Sequence, residues 1–152
     1  GTVGFPAGDA ARTIEVWFRL EAAPSVDAVV AGYGDFSGSN TSFVVGADPS
    51  ATLFFSQWGL ALWGPVQPLN IWVHLAATHG AGGQVLYLNG VEVDAGTRPV
   101  QTTKFGSLAV GNREAVEAFD GQVDELSVYD GALTADEIAA IYASGSDGKC
   151  DP

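Results

Sequence analysis

The segment RTIEVWFRL alternates without a break. Ile14, Val16, Phe18 and Leu20 fall on one side, and Glu15, Trp17 and Arg19 on the other. Successive side chains of an extended strand point to opposite faces, so this period fits a strand with one face in a core. Similar short runs recur down the chain: DAVVAGYG, SFVVGA, ATLFFSQW, LALWG, IWVHLAATH, QVLYL, VEVDAG, SLAVGN and DGQVDELSVYD. They are separated by turn-forming residues such as Asp48-Pro49-Ser50 and Asn89-Gly90. The Asn-Gly pair between two β-rich runs predicts a type I′ hairpin, because both central positions need positive φ. About ten strands with turns between them predict an all-β, two-sheet antiparallel sandwich.

The period changes near residue 134. ADEIAAIYA carries an apolar stripe of Ile138, Ile141 and Tyr142 at helical spacing. Thr134 followed three residues later by Glu137 is a capping box, and Leu133 can staple against Ile138. One short C-terminal helix is therefore expected. With no repeat or second composition visible, residues 1–143 form one domain and 144–152 a polar tail or linker.

The chain has 152 residues and a formal net charge of −12. That charge repels phosphate backbones and anionic lipid, which argues against nucleic-acid and membrane partners. It suits Ca²⁺, cationic partners or neutral glycans, and it also serves solubility alone. No apolar run is long enough to span a bilayer. The single cysteine, Cys150, can make no internal disulfide and gives no metal cluster. A chain that opens GTVGFPAG without Met is expected to be a processed or excised piece of a larger protein.

Five stretches, TIEVWFRL, IWVHLAATH, VLYLNGVEV, LAVGN and FDGQVDELSVYDGALTADEIAAIY, together resemble the laminin G-like, concanavalin A-like jelly-roll family, in the version common in large secreted bacterial proteins. The final signature is matched by Phe119, Gly121, Val123-Asp124-Glu125, Tyr129 and Ala132-Leu133-Thr134. The resemblance covers about residues 12–143. It implies a jelly-roll fold, an extracellular or cell-surface setting and, in many members, a structural calcium ion. Fold resemblance does not name an activity. The family usually opens with an additional strand, for which only TVGFP is available here. That segment is expected to complete a sheet, in its own chain or a neighbour's.

Catalytic chemistry finds little support. Glucanases on this fold resemble one another in a Glu-x-Asp-x-x-Glu strand, of which Glu92 and Asp94 supply only two members before Gly96 ends the run. His74, between Trp72 and Ala76, reads as a hydrogen-bonded structural histidine. No nucleophile triad or zinc spacing is present. The chain is read as a non-enzyme.

Asp124 shares strand parity with Leu126 and Val128. If that face is the core, its carboxylate must be satisfied by backbone amides or by Ca²⁺, which makes Asp124 the metal-ligand candidate. For ligand binding, Trp58 and Trp63 flank GLAL and each offers a platform for a sugar ring. Core packing is the more ordinary use of any one Trp, and Trp17 and Trp72 read as packing residues. Tyr33, Asp35 and Asn40, with Phe36, belong to a Gly/Ser-rich loop expected to form a binding rim. The expected function is glycan binding, helped by structural Ca²⁺. The alternative is an adhesive domain that contacts protein, itself included, through a sheet edge.

Overall fold

The computed structural model describes residues 4–99, 107–112 and 119–145. The described strands are β1 (Arg12–Leu20), β2 (Ala28–Gly34), β3 (Ser42–Ala47), β4 (Thr52–Ser56), β5 (Ala61–Val66), β6 (Trp72–Gly80), β7 (Gly83–Leu88), β8 (Val91–Gly96), β9 (Ser107–Val110) and β10 (Gly121–Tyr129), followed by helix α1 (Ala135–Ser144). They form two five-stranded antiparallel sheets, in the orders β10-β1-β6-β7-β8 and β5-β4-β3-β2-β9. The jelly-roll sandwich expected from the sequence is the fold observed. Asn89 and Gly90 both take positive φ, 50° and 79°, as the hairpin between β7 and β8 requires.

The alternation within each strand decides what lies between the sheets. Ile14, Val16, Phe18 and Leu20 of β1 are buried with Leu75 and Leu86 from their own sheet and Phe43, Val45, Leu53 and Phe55 from the other. Leu88, Leu126 and Val128 pack against this core from its margin. Burying each of the large side chains is worth roughly 1.5–3 kcal/mol, so this layer supplies the main driving force.

The outer face of the first sheet is also covered. Helix α1 lies over it, and Ile138 is buried against Ala76 and Tyr87, with Leu133 packed beside them. The predicted capping box forms: Thr134 Oγ1 accepts from the Glu137 N–H, and Glu137 Oε2 accepts from the Thr134 N–H. Glu15, on β1 beside the central strand β6, is fully buried. Its carboxylate accepts from His74 Nε2 at 2.9 Å and from the Tyr129 hydroxyl at 3.2 Å. A carboxylate only accepts, so His74 donates through Nε2–H. Burial first, and then the negative charge of Glu15, pushes the Tyr129 phenol above its usual pKa.

The N-terminal arm differs from expectation. Thr2 and Val3 lie outside the described residues, and Gly4, Phe5 and Pro6 form no strand. Instead Phe5 packs on Tyr33, with ring centroids 5.0 Å apart. The fully buried Arg12 gathers the arm by donating to the carbonyls of Pro6, Gly8 and Ala10 at 3.0, 2.7 and 2.9 Å. A buried guanidinium needs acceptors in several directions, and a looped backbone offers them where a paired strand cannot.

Two outcomes follow. Glu15→Ala strips His74 and Tyr129 of their shared acceptor and should cost about 3–5 kcal/mol in urea unfolding. Glu15→Gln, which keeps an acceptor oxygen, should cost less. Glu137 is held below the usual carboxylate pKa, chiefly by the backbone N–H of Thr134 and then by its side chain. A depressed pKa contributes stability that is present above the unfolded value and lost as pH falls through the folded one. Amide-exchange protection across residues 135–144 should therefore weaken in that acid range and stay flat from mildly acidic to neutral pH.

Candidate functional site

On the outer face of the second sheet a buried apolar cluster forms the floor of a groove. Val29 of β2, Val44 of β3 and Phe54 of β4 form a small cluster of their own, separate from the interior core. Two glycines let this floor lie flat. A Cβ at Gly32 would collide with Val44, and one at Gly46 would stand 2.7 Å from the Phe54 ring. The larger side chains thus spread over bare backbone.

Trp63 and Trp58 rise at the side of this floor. Trp63, on edge strand β5, is 46% exposed and meets Phe54 edge to face at 6.0 Å. Trp58, in the turn between β4 and β5, is 41% exposed. Asp27, just ahead of β2, and Ser56, at the end of β4, add a carboxylate and a hydroxyl. Two adjoining cavities, about 110 and 370 Å³, share Asp27, Ser56, Trp58 and Ala61. Together they make a groove with an apolar bed, two indoles and a few polar groups.

The turn that presents Trp58 is strained and braced. Trp58 sits at φ 64°, a left-handed conformation that a bulky residue adopts at a cost. Its N–H donates to Ser56 Oγ at 3.2 Å, and the Gln57 N–H donates to the Leu60 carbonyl at 3.2 Å. The buried Gln57 side chain donates to Asn40 Oδ1 and to the Pro99 carbonyl. Arg98 donates to the Gly59 carbonyl at 2.7 Å. Five hydrogen bonds hold the turn, three of them from other parts of the chain, so Trp58 is set in place before any ligand arrives.

The structure sorts the sequence candidates. Trp58 and Trp63 come together at one groove. Tyr33 does not reach any rim: it is 1% exposed in β2, its hydroxyl donates to the Pro6 carbonyl at 3.2 Å, and burial raises its pKa despite the nearby Arg12. Strand β2 runs further into the Gly/Ser-rich segment than its composition indicates, and Tyr33 takes an inward position on it. Asp35 is exposed, but its carboxylate is turned back on its own loop, accepting from the Ser37 N–H and hydroxyl at 2.8 and 2.6 Å. Asn40, at φ 61°, acts through Gln57 on the Trp58 turn. Asp27, Ser56 and Phe54 were missed by the sequence analysis. The parity of TLFFS offered the signal, since it puts Phe54 and Ser56 on the face away from Leu53 and Phe55.

Two bulges overturn the carboxylate readings. Opposite Val16, strand β10 carries both Glu125 and Leu126, with register passing from Trp17↔Asp124 to Glu15↔Ser127. Glu125 takes φ 54° there. The extra residue reverses parity, so Val123, Leu126 and Val128 all face the core while Asp124 is exposed. Asp124 therefore needs no ion to satisfy a buried charge. Among the described residues, no three His, Cys, Asp or Glu side chains gather as a metal site.

On β8, register passes from Tyr87↔Glu92 to Leu86↔Asp94, leaving Val93 as the extra residue. Glu92 follows the outward Tyr87 and Asp94 the inward Leu86, so the two carboxylates part to opposite faces. Asp94 bridges the sheets, accepting the Trp63 N–H at 2.8 Å. The remaining packing reading that fails is Trp72, which is 39% exposed.

A family model described as concanavalin A-like lectin/glucanases superfamily, of the laminin G type, matches residues 3–139. No curated protein sequence matches the chain. Among solved structures, the Trypanosoma rangeli sialidase superposes with a TM-score of 0.72 at 16% identity, over 93% of this chain and 24% of that one. The chain thus spans about a quarter of that enzyme. Domain 4 of an extracellular arabinanase from Geobacillus stearothermophilus, in complex with arabinotriose, gives 0.67 at 23% identity, over 89% and 67% of the two chains. A native heptameric SAP-like pentraxin from Limulus polyphemus gives 0.66 at 15%, over 95% and 76%. At these identities the superpositions speak for the fold, and with the family match over most of its length the chain belongs to the laminin G-like branch of the concanavalin A-like lectin/glucanases superfamily.

Proposed function

We propose that this chain is a non-catalytic carbohydrate-binding module of an extracellular or cell-surface protein, with its ligand seated in the Trp58–Trp63 groove. The observation that carries this reading is the pair of exposed indoles standing beside Asp27 and Ser56 over an apolar floor. A sugar ring has apolar faces and a polar edge. Indoles suit the faces, while a carboxylate and a hydroxyl suit the edge. Two aromatic walls and an open groove favour a run of sugar units over a single one. The superposed arabinanase domain holding arabinotriose supports the same class of ligand. A module that used these Trp residues only for packing would have buried them.

Self-association through a sheet edge has less support. The outer edge of β10 is unpaired among the described strands, but it carries a bulge and the exposed Asp124 and Glu125. A bulge and like charges along an edge both discourage the addition of another strand.

A neutral-glycan array, followed by calorimetry on the best hits with arabino-oligosaccharides among them, tests the proposal. Trp63→Ala should weaken binding at least roughly ten-fold, the loss of a principal contact worth about 1.4 kcal/mol. Binding should be unchanged by EDTA, since among the described residues no three His, Cys, Asp or Glu side chains gather to hold an ion. Array silence, or hits that survive both Trp substitutions, would remove the reading.

Trp58→Gly separates binding from folding. Glycine adopts φ 64° freely, so the substitution relieves about 1 kcal/mol or more of backbone strain. Thermal melting should stay level or rise while glycan affinity falls. A large drop in Tm would mean that Trp58 is a packing residue.

A further inference from the structure

His79 lies buried near the end of β6, with the same strand parity as the core residues Val73, Leu75 and Ala77. Arg12 of β1 stands across the ladder on one side of it and Gln84 of β7 on the other, and both are buried too. A polar row thus closes this end of the core.

Hydrogen bonding fixes the form of the imidazole. Its Nε2 lies 2.9 Å from Asp9 Oδ1 and 3.3 Å from the Asp9 carbonyl. Both are acceptors, so Nε2 carries a hydrogen. Its Nδ1 lies 2.9 Å from Gln84 Nε2. The backbone of Arg98 locks the Gln84 amide in that orientation: Oε1 accepts the Arg98 N–H at 3.0 Å, and Nε2 donates to the Arg98 carbonyl. Turned over, the amide would set donor against donor and acceptor against acceptor at Arg98. Gln84 therefore presents a donor to Nδ1, and Nδ1 must accept. The network as built takes only the neutral ring.

Histidine is the side chain whose ordinary change of charge falls in mild acid. A cavity of about 290 Å³, walled by Asp9, the turn between β6 and β7 and the segment from Thr97 to Pro99, lets solvent protons reach this ring. The charges around it oppose one another. Asp9 favours an imidazolium, and the Arg12 guanidinium, within 3.4 Å of the Tyr33 phenol from the other sheet, disfavours one. Arg98 turns its guanidinium away to Gly59. Asp130 is exposed, ahead of Ala132, which packs on Gly80. The amide then decides what protonation does. A hydrogen on Nδ1 would meet the Gln84 NH₂ group, and the two side chains would have to part.

Gln84 anchors the segment that braces the Trp58 turn. Arg98 Nη1 donates to the Gly59 carbonyl at 2.7 Å, and the Pro99 carbonyl accepts from Gln57 at 3.3 Å. Gly59 and Gln57 flank Trp58, whose φ of 64° persists only while its surroundings hold it. One chain of hydrogen bonds thus runs from His79 through Gln84 and Arg98 to the turn.

We propose that His79 is a pH-sensitive positioning residue for the Trp58 turn: neutral, it keeps Gln84 on Arg98 and the turn in place, and protonated, it parts from Gln84 and the turn loosens. The coupling is a property of the turn itself, whatever the groove binds.

Residue-assigned NMR of the ligand-free chain tests this between about pH 8 and 5.5, where ordinary carboxylates stay ionised. At the upper end the His79 ring should be neutral with its hydrogen on Nε2. As the ring gains charge, the Arg98, Gly59 and Trp58 amides should shift with the same midpoint. Exchange protection of the Arg98 and Gln57 amides, corrected for the intrinsic effect of pH, should fall at least roughly three-fold, as the loss of a bracing hydrogen bond would give. The second histidine, His74, is bonded to Glu15 and is followed separately. Gln84→Glu offers an Nδ1–H an acceptor and should move the His79 midpoint up by at least about one pH unit. Arg98→Ala should leave the His79 titration in place and shrink the response at Gly59 and Trp58. All readouts are taken without ligand, so failure of the glycan reading would not touch them. A neutral ring with its hydrogen on Nδ1, a turn that ignores protonation of His79, no change of charge at His79 in this range, or a midpoint in Gln84→Glu that stays or falls would each overturn the proposal.

Discussion

Three elements converge on the carboxylate of Glu15. It sits on β1, the strand that pairs with both β6 and β10, and it is fully buried. Taking a carboxylate out of water costs several kcal/mol, so the position persists only where partners meet it. His74 supplies one from β6 and Tyr129 another from β10. The same contacts set the spacing of the three strands and give the helix a definite place to land. Trp17, next on that face of β1, then stacks on Tyr142 of the helix. The apolar core would hold two sheets together without Glu15. The placement of α1, and of everything along its C-terminal end, is tied to this buried polar cluster.

Sequence period revealed most of the architecture because most strands are regular. The ten runs of alternating or apolar residues correspond to the ten described strands, and the switch to helical spacing after Thr134 coincides with α1. What the period could not reveal was the interruption of pairing. An extra residue in β10 reversed the sense of Asp124, and one in β8 separated Glu92 from Asp94. A one-residue shift moves every later side chain to the other face. Neither bulge carries a mark in the sequence, since Glu125 and Val93 stand where a glycine would have announced one. Burial by a remote element was equally hidden. Glu15 alternates like a solvated residue, yet it is fully buried, with His74 and Tyr129 from distant strands upon it.

The candidate groove shows the same division between local and tertiary causes. That Phe54, Ser56, Trp63 and Ala61 face outward follows from strand parity alone. That Val44 and Phe54 lie flat enough to make a floor follows from Gly32 and Gly46 beneath them, a relation between neighbouring strands. Trp58 depends on neither. Its exposure is imposed by a left-handed turn held at Gln57 by Asn40 and Pro99 and at Gly59 by Arg98, partners from two other parts of the chain. Asn40 was expected at a binding rim and instead supports the turn that presents Trp58. Side chains that fix a binding turn are chosen for the same polar chemistry as those that bind, so composition does not tell them apart.

A sandwich has two outer faces, and this one treats them differently. On the β10-β1-β6-β7-β8 sheet α1 covers Ala76 and Tyr87. On the β5-β4-β3-β2-β9 sheet the described residues place no helix, and Trp63 stands half exposed beside the buried Val29, Val44 and Phe54. The join between the sheets is also asymmetric. Asp94 reaches from edge strand β8 to the Trp63 N–H on edge strand β5, closing that side with a charge-assisted hydrogen bond. The closure satisfies a backbone donor that an edge strand would otherwise expose, and it fixes the strand that carries Trp63. Asp94, half of a would-be catalytic pair in the sequence, thus serves to hold the strand that carries Trp63, and the bulge at Val93 is what turns it toward that strand.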